Sequence, residues 1–342
     1  TNTLTYAYTN TPIVADMSVV DGSGYYTLNL GAESDLAKNF TILRAGGGND
    51  TITGDNNANV IYGGTGADTL TGGAGNDTLY GEAGVNVLSG GANDDTLIGG
   101  DSGNTLSGND GNDVITGGTG TDTVDGGLGV DAMTGGGGTD TLTWQSLTGG
   151  NAIIRLDLGN ATDYQGSVDT YSGFSAFVGT NNGDTITLST GTDTVTGGTG
   201  ADLINANTGT HVLNGGTGTD TLSFAAATGA VVLNLATTTA QNSGFGTYTI
   251  TALSVENVTG SANNDTITGD ANANILLGGG GDDTLVGAAG NDTLDGEGGT
   301  NTVSYGYTGT AVVANMGTVD GSGYYTVTLG AESDKVKNIA TF

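Results

Sequence analysis

A hydrophobic residue recurs every nine positions along most of the chain, and it always stands two positions after a polar residue, here called the anchor. The pattern holds over three runs of 11, 5 and 5 units, whose anchors span residues 50–140, 184–220 and 265–301. Each hydrophobic residue has mostly polar or small neighbours, as in a three-residue strand whose middle side chain turns inward. Stacked units of this kind bury one side chain in nine and form a thin, continuous core. The pattern therefore predicts an all-β stacked coil.

The anchor is Asp in 15 units, Asn in five and His in one. The aspartate anchors are Asp50, Asp68, Asp77, Asp95, Asp113, Asp122, Asp131, Asp140, Asp184, Asp193, Asp202, Asp220, Asp265, Asp283 and Asp292. The asparagine anchors are Asn59, Asn86, Asn104, Asn274 and Asn301. We predict that all 20 of these residues are metal ligands.

The loops between the predicted strands give the reason for this prediction. They are rich in glycine, as in residues 63–68 and 72–77, and the chain holds 67 glycines in all. Glycine permits positive φ angles and close approach between backbones, so several carbonyl oxygens can converge with the anchor oxygen. Many hard oxygen ligands on a flexible loop favour Ca²⁺ over Mg²⁺ or a transition metal. Asn keeps the oxygen but not the charge, so we expect weaker sites at the asparagine anchors.

The repeated unit reads G-G-x-G-x-D-x-U-x, where U is a large aliphatic residue, as at residues 63–71 and 72–80. This unit resembles the RTX (repeats-in-toxin) calcium-binding nonapeptide family, and the chain looks like its giant tandem-repeat extracellular members. The resemblance implies a right-handed parallel β-roll, or β-solenoid, with two nonapeptides per turn and Ca²⁺ between turns along both edges. It also implies that six residues of each unit bind metal and three form the strand. Export would use a type I system, and calcium outside the cell would trigger folding.

The charge of the chain agrees with calcium as the cofactor. Acidic residues number 36 and basic residues 5, which gives a net charge of −31. One ion between each unit and the next but one amounts to roughly 15 Ca²⁺, enough to offset most of this charge. Without metal, stacked like charges should unfold the roll. The same charge opposes binding to nucleic acid or to anionic membranes, and no apolar run is long enough for membrane insertion.

Two features could suggest other chemistry. His211 replaces the carboxylate in one unit, which indicates either a site kept empty or pH-dependent, or the decay of one repeat. Residues 100–103, Gly-Asp-Ser-Gly, imitate a serine-hydrolase motif, but they lie inside a nonapeptide and the one histidine of the chain is in another run. A catalytic Ser needs a base within hydrogen-bond reach, so we predict that the chain is not an enzyme.

Connectors with alternating apolar residues separate the runs. The predicted order is a β connector (1–49), a run of 11 units (50–143), a connector (144–183), a run of five (184–223), a connector (224–264), a run of five (265–303) and the start of a second superrepeat (304–342). At about 18 residues per turn, each connector could form two or more wider coils of the same solenoid.

The two ends of the chain repeat each other. Residues 21–27, Asp-Gly-Ser-Gly-Tyr-Tyr-Thr, recur as 320–326, and residues 31–35, Gly-Ala-Glu-Ser-Asp, recur as 330–334. The offset is 299 in both cases. The chain therefore looks like one superrepeat followed by the start of the next. We expect its partners to be further copies of itself, either in tandem or joined head to tail.

These observations predict a calcium-dependent structural repeat of a secreted bacterial fibre, surface layer or matrix protein, located outside the cell or on its surface. Two alternatives remain open. One is the RTX secretion and folding domain of an exported enzyme or toxin, which predicts a catalytic domain elsewhere in the protein. The other is the stalk of an adhesin.

Overall fold

The computed structural model describes residues 2–6, 9–306, 309 and 311–342, and it contains strands and turns but no helix within these residues. The chain divides into two compact units: Thr1–Gly150 with Gly159–Thr180 (unit 1), and Asn151–Leu158 with Asn181–Phe342 (unit 2). The all-β prediction is confirmed, and the fold is a parallel β-roll.

The strands of the first part of the chain are β1 (Thr3–Thr5), β2 (Ile13–Asp16), β3 (Tyr26–Leu30), β4 (Glu33–Ala37), β5 (Ile42–Arg44), β6 (Thr51–Thr53), β7 (Val60–Thr65), β8 (Thr69–Ala74), β9 (Thr78–Ala83), β10 (Val87–Ala92), β11 (Thr96–Gly100), β12 (Thr105–Asp110), β13 (Val114–Thr119), β14 (Thr123–Leu128), β15 (Ala132–Gly137), β16 (Thr141–Thr143), β17 (Ile153–Arg155), β18 (Asn160–Thr162), β19 (Val168–Ser172) and β20 (Ala176–Val178). The remaining strands are β21 (Thr185–Thr187), β22 (Thr192–Gly200), β23 (Leu203–Asn205), β24 (Thr210–Gly218), β25 (Thr221–Ser223), β26 (Val232–Asn234), β27 (Gln241–Asn242), β28 (Thr247–Ile250), β29 (Asn257–Thr259), β30 (Thr266–Thr268), β31 (Ile275–Leu277), β32 (Thr284–Val286), β33 (Thr293–Asp295), β34 (Asn301–Val303), β35 (Val312–Asn315), β36 (Tyr325–Leu329), β37 (Glu332–Lys337) and β38 (Ile339–Thr341).

Unit 1 is built from two parallel ladders that take alternate strands of the repeat. One ladder runs β5-β7-β9-β11-β13-β15-β19, and the other runs β2-β6-β8-β10-β12-β14-β16-β20. Within a run, strands pair with the strand 18 residues later, as Leu70 does with Leu88 and Leu88 with Leu106, except where the next strand lies beyond a connector. One turn of the roll is therefore two nonapeptides, as expected.

Unit 2 continues this plan with three parallel ladders. They are β17-β21-β23-β25-β29-β31-β33-β37, β22-β24-β28 and β26-β30-β32-β34-β38. In both units the core is the line of hydrophobic residues that follow the anchors. Each of these side chains is at most 2% exposed. Burial of a whole aliphatic side chain contributes about 1.5–3 kcal/mol, so the core depends on the unbroken repeat.

Strand length differs from the expectation of three residues. Most strands of the first run have six residues, because the glycine loops of neighbouring turns also lie side by side in the ladder. A loop can approach its neighbour this closely only if it has no side chain at the contact. Gly66, at φ 136°, shows the reason, since a Cβ there would overlap the carbonyl oxygen of Gly48.

The connectors also differ from the expectation of several wider coils. Solenoid strands that flank or enter them pair across 32 to 42 residues rather than 18, as Ile154 does with Ile186 and Leu294 with Val336. Antiparallel strands occupy much of the additional chain: β2-β3-β4, β18-β19, β27-β28 and β35-β36-β37. A connector is thus an enlarged turn of the roll into which antiparallel strands are inserted.

Candidate metal centres along the roll

The anchors form columns in which each turn is hydrogen-bonded to the next. The backbone N–H of Asp50 donates to Oδ1 of Asp68 at 2.8 Å, and that of Asp77 donates to Oδ1 of Asp95 at 2.7 Å. The same bond recurs at 18-residue spacing along most of the repeats. The anchors are buried, with at most 4% exposure. The structure therefore brings the predicted ligands together as ordered rows.

In unit 1, column 1 contains Asn59, Asp77, Asp95, Asp113 and Asp131, and column 2 contains Asp50, Asp68, Asn86, Asn104, Asp122 and Asp140. In unit 2, column 3 contains Asp184, Asp202, Asp220, Asn274 and Asp292, column 4 contains Asp265, Asp283 and Asn301, and column 5 contains Asp193 and His211.

The second carboxylate oxygen of most aspartate anchors has no hydrogen-bond partner among the residues that the structure describes. Oδ2 is buried without a hydrogen bond at Asp50, Asp68, Asp77, Asp95, Asp113, Asp122, Asp131, Asp140, Asp202, Asp220, Asp283 and Asp292. At each of these anchors except Asp50, Oδ2 lies against the first glycine of its own loop; a Cβ on Gly117, for example, would lie 2.5 Å from Oδ2 of Asp122. A buried anionic oxygen without a donor is costly unless a cation compensates it. These orphaned oxygens beside glycine carbonyls fit a calcium ion.

Burial also changes how readily the anchors ionise. It raises the pKa of Asp68 to about 6, and the nearby carboxylates of Asp50 and Glu82 add to the effect. Burial likewise raises the pKa of Asp95 and Asp292 to about 7, and neighbouring carboxylates again contribute. The anchors therefore resist ionisation as long as no cation shares their charge.

Side chains alone do not build these centres. Within the described residues, no three His, Cys, Asp or Glu side chains gather around one point. Ca²⁺ prefers six to eight oxygens, so most ligands at each centre would be backbone carbonyls of the glycine loops. The anchors would then supply the charge, and the loops most of the coordination.

Three residues outside the nine-residue register extend the columns. The N–H groups of Asp131, Asp220 and Asp292 donate at 2.8–3.0 Å to the carboxylates of Asp169, Glu256 and Asp334. Each acceptor stands two positions before a hydrophobic residue, Tyr171, Val258 and Val336, which pairs with the core residue of the earlier turn. That local acid-x-hydrophobic pattern was the available signal, but the enlarged turns hide it from a search at a fixed period.

Asp193 lies in a different environment from the other anchors. Its Oδ2 accepts the N–H of Ser189 at 2.9 Å and lies 3.1 Å from Nδ1 of His211. Although burial opposes ionisation, the hydrogen bonds from His211 and Ser189 hold the pKa of Asp193 below its usual value. The His211 ring is fully buried and packs against Tyr248, with ring centroids 5.3 Å apart. Here the His211 side chain, rather than an unfilled space, lies beside the anchor carboxylate.

A match to a known family model supports this description. The family model described as RTX calcium-binding nonapeptide repeat matches residues 41–142, 178–222 and 255–306 in overlapping segments. Among solved structures, the extracellular lipase LipA from Serratia marcescens is similar, with 15% identity and a TM-score of 0.17. That match covers 75% of this chain and 38% of the lipase chain. No curated protein matches the chain. The described residues include no helix that is long and apolar enough to cross a membrane.

Proposed function

This chain belongs to the RTX calcium-binding nonapeptide repeat family, and we propose that it is a calcium-folded structural repeat of a secreted bacterial fibre, surface layer or matrix protein. Members of the family bind calcium through these repeats and are typically secreted. We propose an extracellular location, no catalytic role, and roughly 15 bound ions, one between successive turns at each edge. When bound, calcium would supply positive charge to the buried anchors. The chain itself supplies the stacked loops, and folding is coupled to binding.

The proposed structural role rests on one observation: the same small sheet occurs twice in the chain, 299 residues apart. Strands β2-β3-β4 form an antiparallel meander, and β35-β36-β37 form the same meander, with bounds that coincide after the offset except for one residue at the end. The sequence repeat is therefore also a repeat of structure.

The two meanders differ in what covers their last strand. β37 pairs in parallel with β33. This pairing buries Asp334, which is 1% exposed and accepts the N–H of Asp292 at 2.9 Å. The corresponding β4 pairs with β3 alone among the described strands, and it leaves Asp35 exposed and Leu36 62% exposed. An open strand edge is a template for another strand. We propose that a strand equivalent to β33, from a further copy of the repeat, covers β4.

An N-terminal extension tests this proposal. Residues 265–303 are joined ahead of residue 5, which reproduces the order found before residue 304, and amide hydrogen exchange of β4 is measured in calcium. We expect β4 amides that exchange rapidly in the original chain to become protected. An extension of the same composition in scrambled order is the control. Equal exchange with the ordered and the scrambled extension would contradict assembly through β4.

A further inference from the structure

We infer that the turns whose anchors are Asn86, Asn104, Asn301 and His211 fold without binding calcium. The columns of calcium sites would then be interrupted at these four anchors. The inference rests on calcium binding by the aspartate anchors, as proposed above. It changes the expectation from the sequence that asparagine anchors are only weaker sites. The inference is based on the hydrogen bonds that the side-chain nitrogens of these four residues make.

The orientation of the asparagine amides is set by the column. Oδ1 of Asn86 accepts the N–H of Asp68 at 2.9 Å, and Oδ1 of Asn104 accepts the N–H of Asn86 at 2.9 Å. Oδ1 of Asn301 accepts the N–H of Asp283 at 2.8 Å. Because a backbone N–H requires an acceptor, the amide oxygen must face the earlier turn. The NH₂ group is thereby directed to the position where an aspartate has its orphaned Oδ2.

That NH₂ group occupies the loop. Nδ2 of Asn86 donates to the carbonyl of Gly84 at 3.2 Å, and Nδ2 of Asn104 donates to the carbonyl of Ser102. Nδ2 of Asn301 donates to the carbonyls of Gly298 and Asn338 at 3.2 and 3.1 Å. An N–H donor cannot ligate a cation, and it satisfies carbonyl oxygens that would otherwise be available to one. These loops are closed without a buried charge.

The two other asparagine anchors have the opposite arrangement. Oδ1 of Asn59 and of Asn274 accepts the N–H of Asp55 and of Asp270, each at 2.8 Å and four residues earlier. The loops read Gly-Asp-x-Asn-Ala-Asn at 54–59 and 269–274, so an aspartate in the loop restores the missing acid. Oδ2 of Asp270 is buried and has no hydrogen-bond partner among the described residues. The Asn274 turn therefore keeps the features of a cation site. In the Asn59 turn both carboxylate oxygens of Asp55 already have donors, since Oδ1 accepts the N–H of Asn57 and Oδ2 accepts the hydroxyl of Tyr26, each at 2.8 Å.

His211 reaches the same result by a different route. Its Nδ1 lies 3.1 Å from Oδ2 of Asp193, and Ser189 donates its Oγ–H to Oδ1 of Asp193 at 2.8 Å. Both carboxylate oxygens of Asp193 thus have donors inside the protein. The next residue of this column is Tyr248, whose hydroxyl donates to the carbonyl of Asn207. Column 5 is closed by aromatic and hydrogen-bonded packing.

Bound calcium per chain tests the inference, measured by elemental analysis after dialysis of the full chain against buffered calcium. The double variant Asn86→Asp, Asn104→Asp restores two carboxylates to column 2 and should gain about one or two ions. The control is Asn274→Asp, which should gain none because Asp270 already supplies a buried carboxylate oxygen without a hydrogen-bond partner among the described residues. No gain in the first variant, or an equal gain in both, would overturn the inference.

The reverse substitution gives a test that does not depend on how the gain variants fold. Asp95→Asn should lose at least one ion and raise the thermal midpoint of the chain in EDTA, because an amide closes the loop that calcium otherwise closes. A loss of calcium together with a lower midpoint in EDTA would contradict the inference. If the original chain bound no calcium at all, the proposed function would fail instead, so the two failures are distinguishable.

Discussion

A single aspartate in this fold performs two tasks with its two oxygens. Oδ1 accepts the N–H of the preceding turn, as in the 2.7 Å bond from Asp77 to Asp95, and this bond holds the column in register. At most aspartate anchors Oδ2 is buried and has no donor within the described part of the chain. The first oxygen stabilises the roll at all times, whereas the second stabilises it only once a cation is present.

The raised pKa values predict an unusual response to pH in EDTA. Burial raises the pKa of Asp68 to about 6 and that of Asp95 to about 7, above the usual value near 4. The folded state therefore binds these protons more tightly than the unfolded state, and its stability rises as pH falls from about 7 to about 4. We expect the thermal midpoint in EDTA to be higher at pH 5 than at pH 8, as measured by circular dichroism. With calcium present the order should reverse, because protons displace the cation. A midpoint in EDTA that falls on acidification would contradict this account.

The first glycine of a loop is predicted to be essential for a steric reason. A Cβ on Gly117 would lie 2.5 Å from Oδ2 of Asp122 and 2.6 Å from the carbonyl oxygen of Gly135. We expect Gly117→Ala to cost about 1–3 kcal/mol in calcium and to weaken calcium binding, as measured by thermal unfolding over a calcium titration. Gly137→Ala is the matched control, since nothing lies within 4 Å of its Cβ. Equal losses in both variants would show that backbone freedom, and not the space beside Asp122, is what the loop requires.

At the scale of the strand and the turn, the nine-residue pattern predicted the positions of the repeat strands and of their buried residues. It predicted the inward residue of every repeat, and Leu79, Leu97 and Ile115 are indeed fully buried in one ladder. It did not predict six-residue strands, because loop pairing depends on how closely neighbouring turns approach. It also missed Asp169 and Glu256, since an enlarged turn changes the spacing while local chemistry stays the same.

The core line of unit 1 gives a prediction at the scale of the ladder. Leu97 is fully buried and is paired in the ladder between Leu79 and Ile115. We expect Leu97→Ala to cost about 2–5 kcal/mol, measured by denaturant unfolding in calcium. Val114→Thr should change stability by about 0.5 kcal/mol or less, because Val114 is 51% exposed on a neighbouring strand. A similar cost in both variants would mean that strand propensity, not the buried line, holds the ladder.

At the scale of the molecule, we expect the roll to tolerate the deletion of whole turns but not deletions that break the nine-residue register. Strands β6 to β14 of the first run each pair with a strand 18 residues later. Removal of residues 96–113 therefore deletes one whole turn and lets the N–H of Asn86 meet Oδ1 of Asp122. Removal of residues 96–108 deletes 13 residues, which is not a multiple of nine, and would set glycine loops against strands and anchors against loop positions. We expect the first variant to fold in calcium with a single cooperative transition and fewer bound ions. The second should lose cooperative unfolding and calcium binding in the first run, measured by calorimetry and elemental analysis. If the shorter deletion were tolerated equally well, the columns would not depend on register, and the link from the nine-residue pattern to calcium-coupled folding would be broken.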